Sequence, residues 1–214
     1  MNPNIHQDQP LLTLGLKPSP ELPAVILLHG RGSSAQDMAP LAHSLGTERA
    51  AYLMPQAGKN RWYPNSAFSP LEGNQPDLDS ALRVVAETIQ DLTSQNIPTQ
   101  KIILGGFSQG ACLAAEYAAR NPRRYGGLFV LSGALIGPEG TKRDYPGSLE
   151  GTPVFLGSSD VDPWVKHSLV AETAAVLKEL DGDVDFRTYP GMGHTINEDE
   201  LQAVRGMITS AGAA

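Results

Sequence analysis

The stretch Lys101-Ile102-Ile103-Leu104-Gly105-Gly106-Phe107-Ser108-Gln109-Gly110-Ala111-Cys112-Leu113-Ala114-Ala115 joins an apolar run to an alanine-rich helical run through Gly106-Phe107-Ser108-Gln109-Gly110. This is the strand–turn–helix context that a G-x-S-x-G nucleophile elbow requires. The turn is so tight that a side chain two residues before or after the serine would strike the neighbouring strand and helix. Glycine at both places relieves the clash and supports strained dihedrals. Ser108 is thereby pushed out above a sheet, at a helix N-terminus that favours a developing negative charge. Taken alone, the pattern also fits a plain strand-to-helix turn with an N-capping serine. The rest of the chain decides between them.

Outward from the elbow, short apolar runs alternate with amphipathic ones, the pattern of a mainly parallel sheet flanked by helices. Strands are expected at 11–16, 24–29, 51–54, 101–107, 127–132, 152–157 and 184–189. Most are near-continuous apolar runs, as strands covered on both faces must be. Leu78, Leu82, Val85, Ile89 and Leu92 recur at three- and four-residue intervals, so a helix spans about 78–95. Further helices are expected over 35–45, 109–121, 167–180 and 198–210. Asn121-Pro122 stops the third of them. Residues 1–10 read as a flexible tail to a single domain spanning 1–214. The segment 56–76 is irregular and carries Trp62, Tyr63, Phe68 and Leu71, which are expected to overhang Ser108. The second irregular stretch, 133–151, is too short for a lid domain.

Composition narrows the function classes. A chain of 214 residues with 41% hydrophobic and 18% charged residues can bury one substantial core. Its formal net charge of −7 disfavours nucleic acid and anionic membrane surfaces as partners. No apolar stretch approaches the length of a membrane span. The N-terminus has neither the basic start nor the apolar run of a signal peptide, so a cytoplasmic location is expected. Cys112 is the single cysteine and reads as a small buried helix residue.

A serine hydroxyl needs a base to take its proton and a third group to orient that base. In α/β-hydrolases these partners follow in the order serine, acid, histidine, each on a loop after a strand. Of five histidines only His167 and His194 follow Ser108. His167 opens a helix and should face solvent or a cap. His194 lies in a glycine-containing loop directly after the last strand and is the expected base. The acid belongs just after the strand at 152–157, where Asp160 and Asp162 compete. Asp162-Pro163 has its own turn support and is favoured, with Asp160 the alternative. Asp160, Asp162 and His167 as metal ligands would need a further clustered ligand, which the neighbourhood lacks; no metal or cofactor is expected. The oxyanion hole requires two backbone donors. The N–H of Gln109 follows from the elbow, and the N–H of Arg31 from the turn His29-Gly30-Arg31-Gly32.

Together these segments resemble the phospholipase/carboxylesterase family, compact α/β-hydrolases that include the acyl-protein thioesterases. The matching pieces are Leu28-His29-Gly30-Arg31-Gly32, Gly105-Gly106-Phe107-Ser108-Gln109-Gly110, Leu131-Ser132-Gly133, Asp160-Val161-Asp162-Pro163-Trp164-Val165 and Tyr189-Pro190-Gly191-Met192-Gly193-His194. The resemblance implies Ser108 as nucleophile, Asp162 rather than Asp160 as acid, His194 as base, and Arg31 and Gln109 at the oxyanion positions. The chain departs from the family pattern at Arg31, often apolar in thioesterases, at Ser158-Ser159, often His-Gly, and at Lys166, often proline. The expected function is hydrolysis of carboxylic esters with short to medium acyl chains, the partner being a small ester. The alternatives are a thioesterase or lysophospholipase acting on long acyl chains, or a non-catalytic binding module, which an intact triad argues against. The sequence sets no oligomeric state, and a homodimer is compatible with it.

Overall fold

The computed structural model describes residues 4–213. Its sheet has seven strands: β1 (Leu11–Gly15), β2 (Ala24–Leu28), β3 (Ala51–Pro55), β4 (Ile102–Phe107), β5 (Gly127–Leu131), β6 (Pro153–Ser159) and β7 (Asp183–Tyr189). The spatial order is β1-β3-β2-β4-β5-β6-β7. Only β1 runs antiparallel, pairing with β3 along its whole length; the other pairs are parallel. The expected strands are all present, with β3, β6 and β7 slightly longer than read and β4 beginning at Ile102 after a short 3-10 turn at Thr99–Lys101.

Alternation along each strand feeds two cores. Ala24, Ile26 and Leu28 of β2 face one side with Ile102, Leu104, Leu128 and Val130. Val25 and Leu27 face the other with Ile103, Phe129 and Leu131. The first face is covered by α2 (Asp77–Ser94), α3 (Gln109–Arg120) and α4 (His167–Glu179). The second is covered by α1 (Ala39–Leu45) and α5 (Glu198–Ala213). The helix expected over 35–45 is divided, a 3-10 turn at Gln36–Met38 preceding α1.

The chain leaves β2 toward β3 on one side, and later enters β4 on the other side of β2. The order therefore switches between β2 and β4, where open α/β sheets form a ligand crevice beyond their strand ends. Gly30 and Arg31 follow β2 there, and Ser108 follows β4. Among the described residues, the connection from β5 to β6 holds no helix or strand.

Residues 4–10 are not the flexible tail expected of this segment. Residues 4–8 form turns, and the His6 ring is buried. Its Nδ1 accepts the Gly58 N–H at 2.9 Å and its Nε2 donates to the Trp62 carbonyl at 2.9 Å. A polar-looking N-terminus is thus tied down by one imidazole that satisfies two backbone groups. Residues 1–3 of that segment lie outside the described residues.

Candidate active site

Ser108 has φ 56° and ψ −121°, a conformation non-glycine residues rarely adopt. It is held there from both sides: its N–H donates to Leu131 O at 2.9 Å and its carbonyl accepts the Cys112 N–H at 3.0 Å. A Cβ at Gly106 would meet the Leu28 carbonyl oxygen and the backbone of Gly110, and one at Gly110 would also meet Leu28 O. The two glycines are therefore required by the approach of β2, as the turn's sequence implies. The Ser108 hydroxyl makes no hydrogen bond among the described residues; such contacts often tighten only around substrate.

The loops that carry Asp162 and His194 are joined across the end of the sheet. His194 Nδ1 donates to Asp162 Oδ2 at 2.6 Å, with the Asp162 side chain fully buried and that of His194 at 16% exposure. Asp162 Oδ1 accepts the N–H groups of Trp164 at 2.8 Å and Val165 at 3.0 Å. Three donors thus fix the carboxylate, two from its own turn and one from His194, and Nδ1 as donor leaves His194 Nε2 the basic nitrogen. Asp160 goes elsewhere: its Oδ1 accepts the Gly191 N–H at 2.7 Å. Ser159 Oγ accepts the N–H groups of Gly193 at 3.1 Å and Val161 at 3.2 Å, so Ser159 and Asp160 both pin the loop that carries His194. His167 bonds Thr188 Oγ1 at 2.8 Å, away from Ser108.

Arg31 and Gln109 line the same cavity as Ser108 and His194. The Gln109 N–H lies in the first turn of α3, where amides have no intrahelical acceptor. Next to Arg31, the Gly32 N–H is taken by Asn60 O and the Ser33 N–H by Gly30 O, while the Arg31 N–H has no acceptor among the described residues. The side chains of these two residues fasten the neighbouring loop. Gln109 accepts the Trp62 N–H at 2.8 Å and donates to Tyr63 O at 2.9 Å. The Arg31 guanidinium donates to Pro64 O at 2.5 Å and to Asn65 O. His29 adds a third tie: its Nε2 accepts the Ala57 N–H at 3.1 Å, so Nδ1 carries the proton donated to Gly30 O at 2.8 Å. Burial holds both His29 and His6 below the usual histidine value, in their neutral forms.

That loop corrects one expectation. Trp62 and Tyr63 do not overhang Ser108; both are 0% exposed and belong to the core under the loop. The Trp62 indole N–H is spent on His29 O at 2.8 Å. Leu71 sits beside Arg120 and Tyr145 at a separate, smaller depression. Of the four, only Phe68 reaches the cavity, which has a volume of about 680 Å³. Its apolar wall is completed by Met38, Leu41, Phe107, Trp164 and Ile196, none of which had been singled out for this role. Met38 and Leu41 fall on the helical periodicity after β2, which reads equally well as core. Cys112 lies beneath Ser108, and burial pushes its thiol up to about 11, so it stays an unreactive thiol.

A family model described as Phospholipase/Carboxylesterase matches residues 16–211. The chain belongs to the phospholipase/carboxylesterase family. A crystal structure of a phospholipase/carboxylesterase from Dyadobacter fermentans DSM 18053 superposes with a TM-score of 0.89 at 41% identity, over 94% of this chain and 97% of that one. Acyl-protein thioesterase 1 from Candida albicans is 31% identical over 85% of this chain and 88% of its own length. Its counterpart from Kluyveromyces lactis is 28% identical over 91% and 94%. The α/β-hydrolase fold and ester hydrolysis of the serine-hydrolase type follow from membership of the phospholipase/carboxylesterase family. No helix among the described residues is long and apolar enough to cross a membrane.

Proposed function

We propose that Ser108, His194 and Asp162 form the catalytic triad of a carboxylesterase that works through an acyl-enzyme. The observation that carries this reading is the 2.6 Å bond from buried Asp162 to His194, which lines the same cavity as the strained Ser108. His194 Nε2 takes the Ser108 proton as Oγ attacks the ester carbonyl, and the N–H groups of Arg31 and Gln109 receive the oxyanion. The proton then passes from His194 to the departing alcohol oxygen. Water repeats the cycle on the acyl-enzyme and releases the acid. Asp162 keeps the imidazole in one tautomer and stabilises its cation.

The substrates are esters with short to medium acyl chains. Phe68, Met38 and Leu41 supply apolar surface for the first several carbons, each buried methylene being worth about 0.8 kcal/mol, or roughly fourfold in binding. The thioesterase reading stands second, supported by the names of the fungal relatives. A nitrophenyl ester series of rising acyl length, with matching thioesters, separates the two. The esterase reading expects kcat/KM to rise over short chains and then level or fall. A continued climb through palmitoyl, or a preference for thioesters at every length, would replace it.

A further inference from the structure

The cavity above Ser108 is lined from both sides of β4. On the β2 side of β4 lie Arg31, Met38 and Leu41, which follow β2; on the β6–β7 side lie Trp164, which follows β6, and His194 and Ile196, which follow β7. This division gives the two parts of an ester different places, on the triad assignment above. The carbonyl oxygen turns toward the Arg31 and Gln109 amides. As the carbon–oxygen bond breaks, the alcohol oxygen takes the proton that His194 removed from Ser108, so the alcohol must sit on the β6–β7 side. The acyl chain is left with the β2 side.

Trp164 stands on the alcohol side and is 73% exposed, with Val161 beside it on the same turn at 57%. Among the described residues, the remaining large exposed apolar side chains, Leu11 and Leu16, are at the β1 edge of the sheet. The backbone under the ring is fixed, since the Trp164 N–H is one of the donors to Asp162 Oδ1. A large, mostly exposed aromatic side chain thus stands at the rim of an apolar cavity, on a fixed stretch of backbone two residues from Asp162. We propose that Trp164 is the platform for the leaving group, and that the enzyme selects esters of flat, apolar alcohols, aromatic ones first. Stacking on the indole provides the contact, and Ile196 closes the space beside His194.

The test compares benzyl acetate with methyl acetate in the wild type, Trp164→Ala and Trp164→Phe. The benzyl-to-methyl ratio of kcat/KM should fall by about tenfold in Trp164→Ala and be mostly retained in Trp164→Phe. The butyrate-to-acetate ratio on methyl esters should stay at its wild-type value in both. An unchanged benzyl-to-methyl ratio, or a change in acyl preference instead, overturns the proposal. Labelling by a fluorophosphonate is measured alongside. If the wild type is not labelled at Ser108, the triad assignment fails and the proposal with it. If Ser108 is labelled and the ratio does not move, the leaving-group role alone is wrong.

Discussion

Asp160 and Asp162 stand two residues apart on the turn after β6, yet their carboxylates serve different parts of the same loop. Asp162 holds the His194 ring, while Asp160 holds the Gly191 amide. Asp162→Asn should lower kcat by about 10³–10⁴-fold, since an amide neither fixes the imidazole tautomer nor stabilises its cation. Asp160→Asn keeps an acceptor oxygen for Gly191 and should cost less than about threefold. Steady-state kinetics on one short-chain ester checks both, and the reverse ranking would mean that the wrong carboxylate was assigned. The turn at Ser108 and the loop of His194 were legible in the sequence because each follows a strand and is framed by glycines. The Asp162 turn was legible from Asp162-Pro163, a turn pair rather than a glycine frame. Ser159 was not: its hydroxyl acts on Gly193, 34 positions away, and no short-range pattern announces such a contact.

At the scale of elements, the loop from β3 to α2 shows where reading aromatics from sequence goes astray. An irregular segment rich in Trp, Tyr and Phe looks like a cover over the site, but partner groups on His29 and Gln109 draw Trp62 and Tyr63 inward. Trp62→Ala should therefore destabilise the protein by about 3–5 kcal/mol in denaturant unfolding. Phe68→Ala should flatten the rise of kcat/KM with acyl length and shift stability far less. A Trp62→Ala protein of normal stability would show that the loop's anchoring has been misread. A second element-level device caps α5. Asn197 Oδ1 accepts the Glu200 N–H at 3.0 Å, and Glu200 Oε2 accepts the Asn197 N–H at 2.8 Å, a reciprocal capping box just beyond His194. The Glu200 carboxyl is wholly buried, its Oε1 has no partner among the described residues, and burial pushes its pKa up to about 7. A folded-state value raised above the ordinary 4.5 gives stability that is full below about 4.5 and lost as pH rises through 7. Glu200→Gln should thus raise Tm by about 2–4 °C at pH 8 relative to the wild type. Little change is expected near pH 4.5, and a gain that is the same at both pH values would contradict the buried-carboxyl account.

For the whole molecule, the sheet order was the least legible feature, because it depends on strand neighbours far apart in sequence. The class was legible, since alternating runs permit little besides a doubly covered parallel sheet. Placing Arg31 and Ser108 on either side of the switch between β2 and β4 turns that class into a site. His6 and His29 connect the site to overall stability, since both are buried, neutral and bonded to the loop after β3. Their folded-state values lie below the ordinary 6.5, so the unfolded chain takes up more protons as pH falls through that region and stability drops with it. His6→Gln should make the stability of the protein less steep between about pH 7 and 5 in unfolding titrations; an unaltered slope would remove His6 from this account. The central claim, that Ser108 is the nucleophile of an esterase, is tested most directly by the covalent adduct itself. The wild type is treated with a fluorophosphonate, digested and mapped by mass, with Ser108→Ala treated in parallel and assayed for ester turnover. One adduct at Ser108, and a variant that stays folded but loses several orders of magnitude in activity, is the expected result. An adduct at Ser132 or Ser159, or a variant that keeps about a tenth of wild-type turnover, would contradict it.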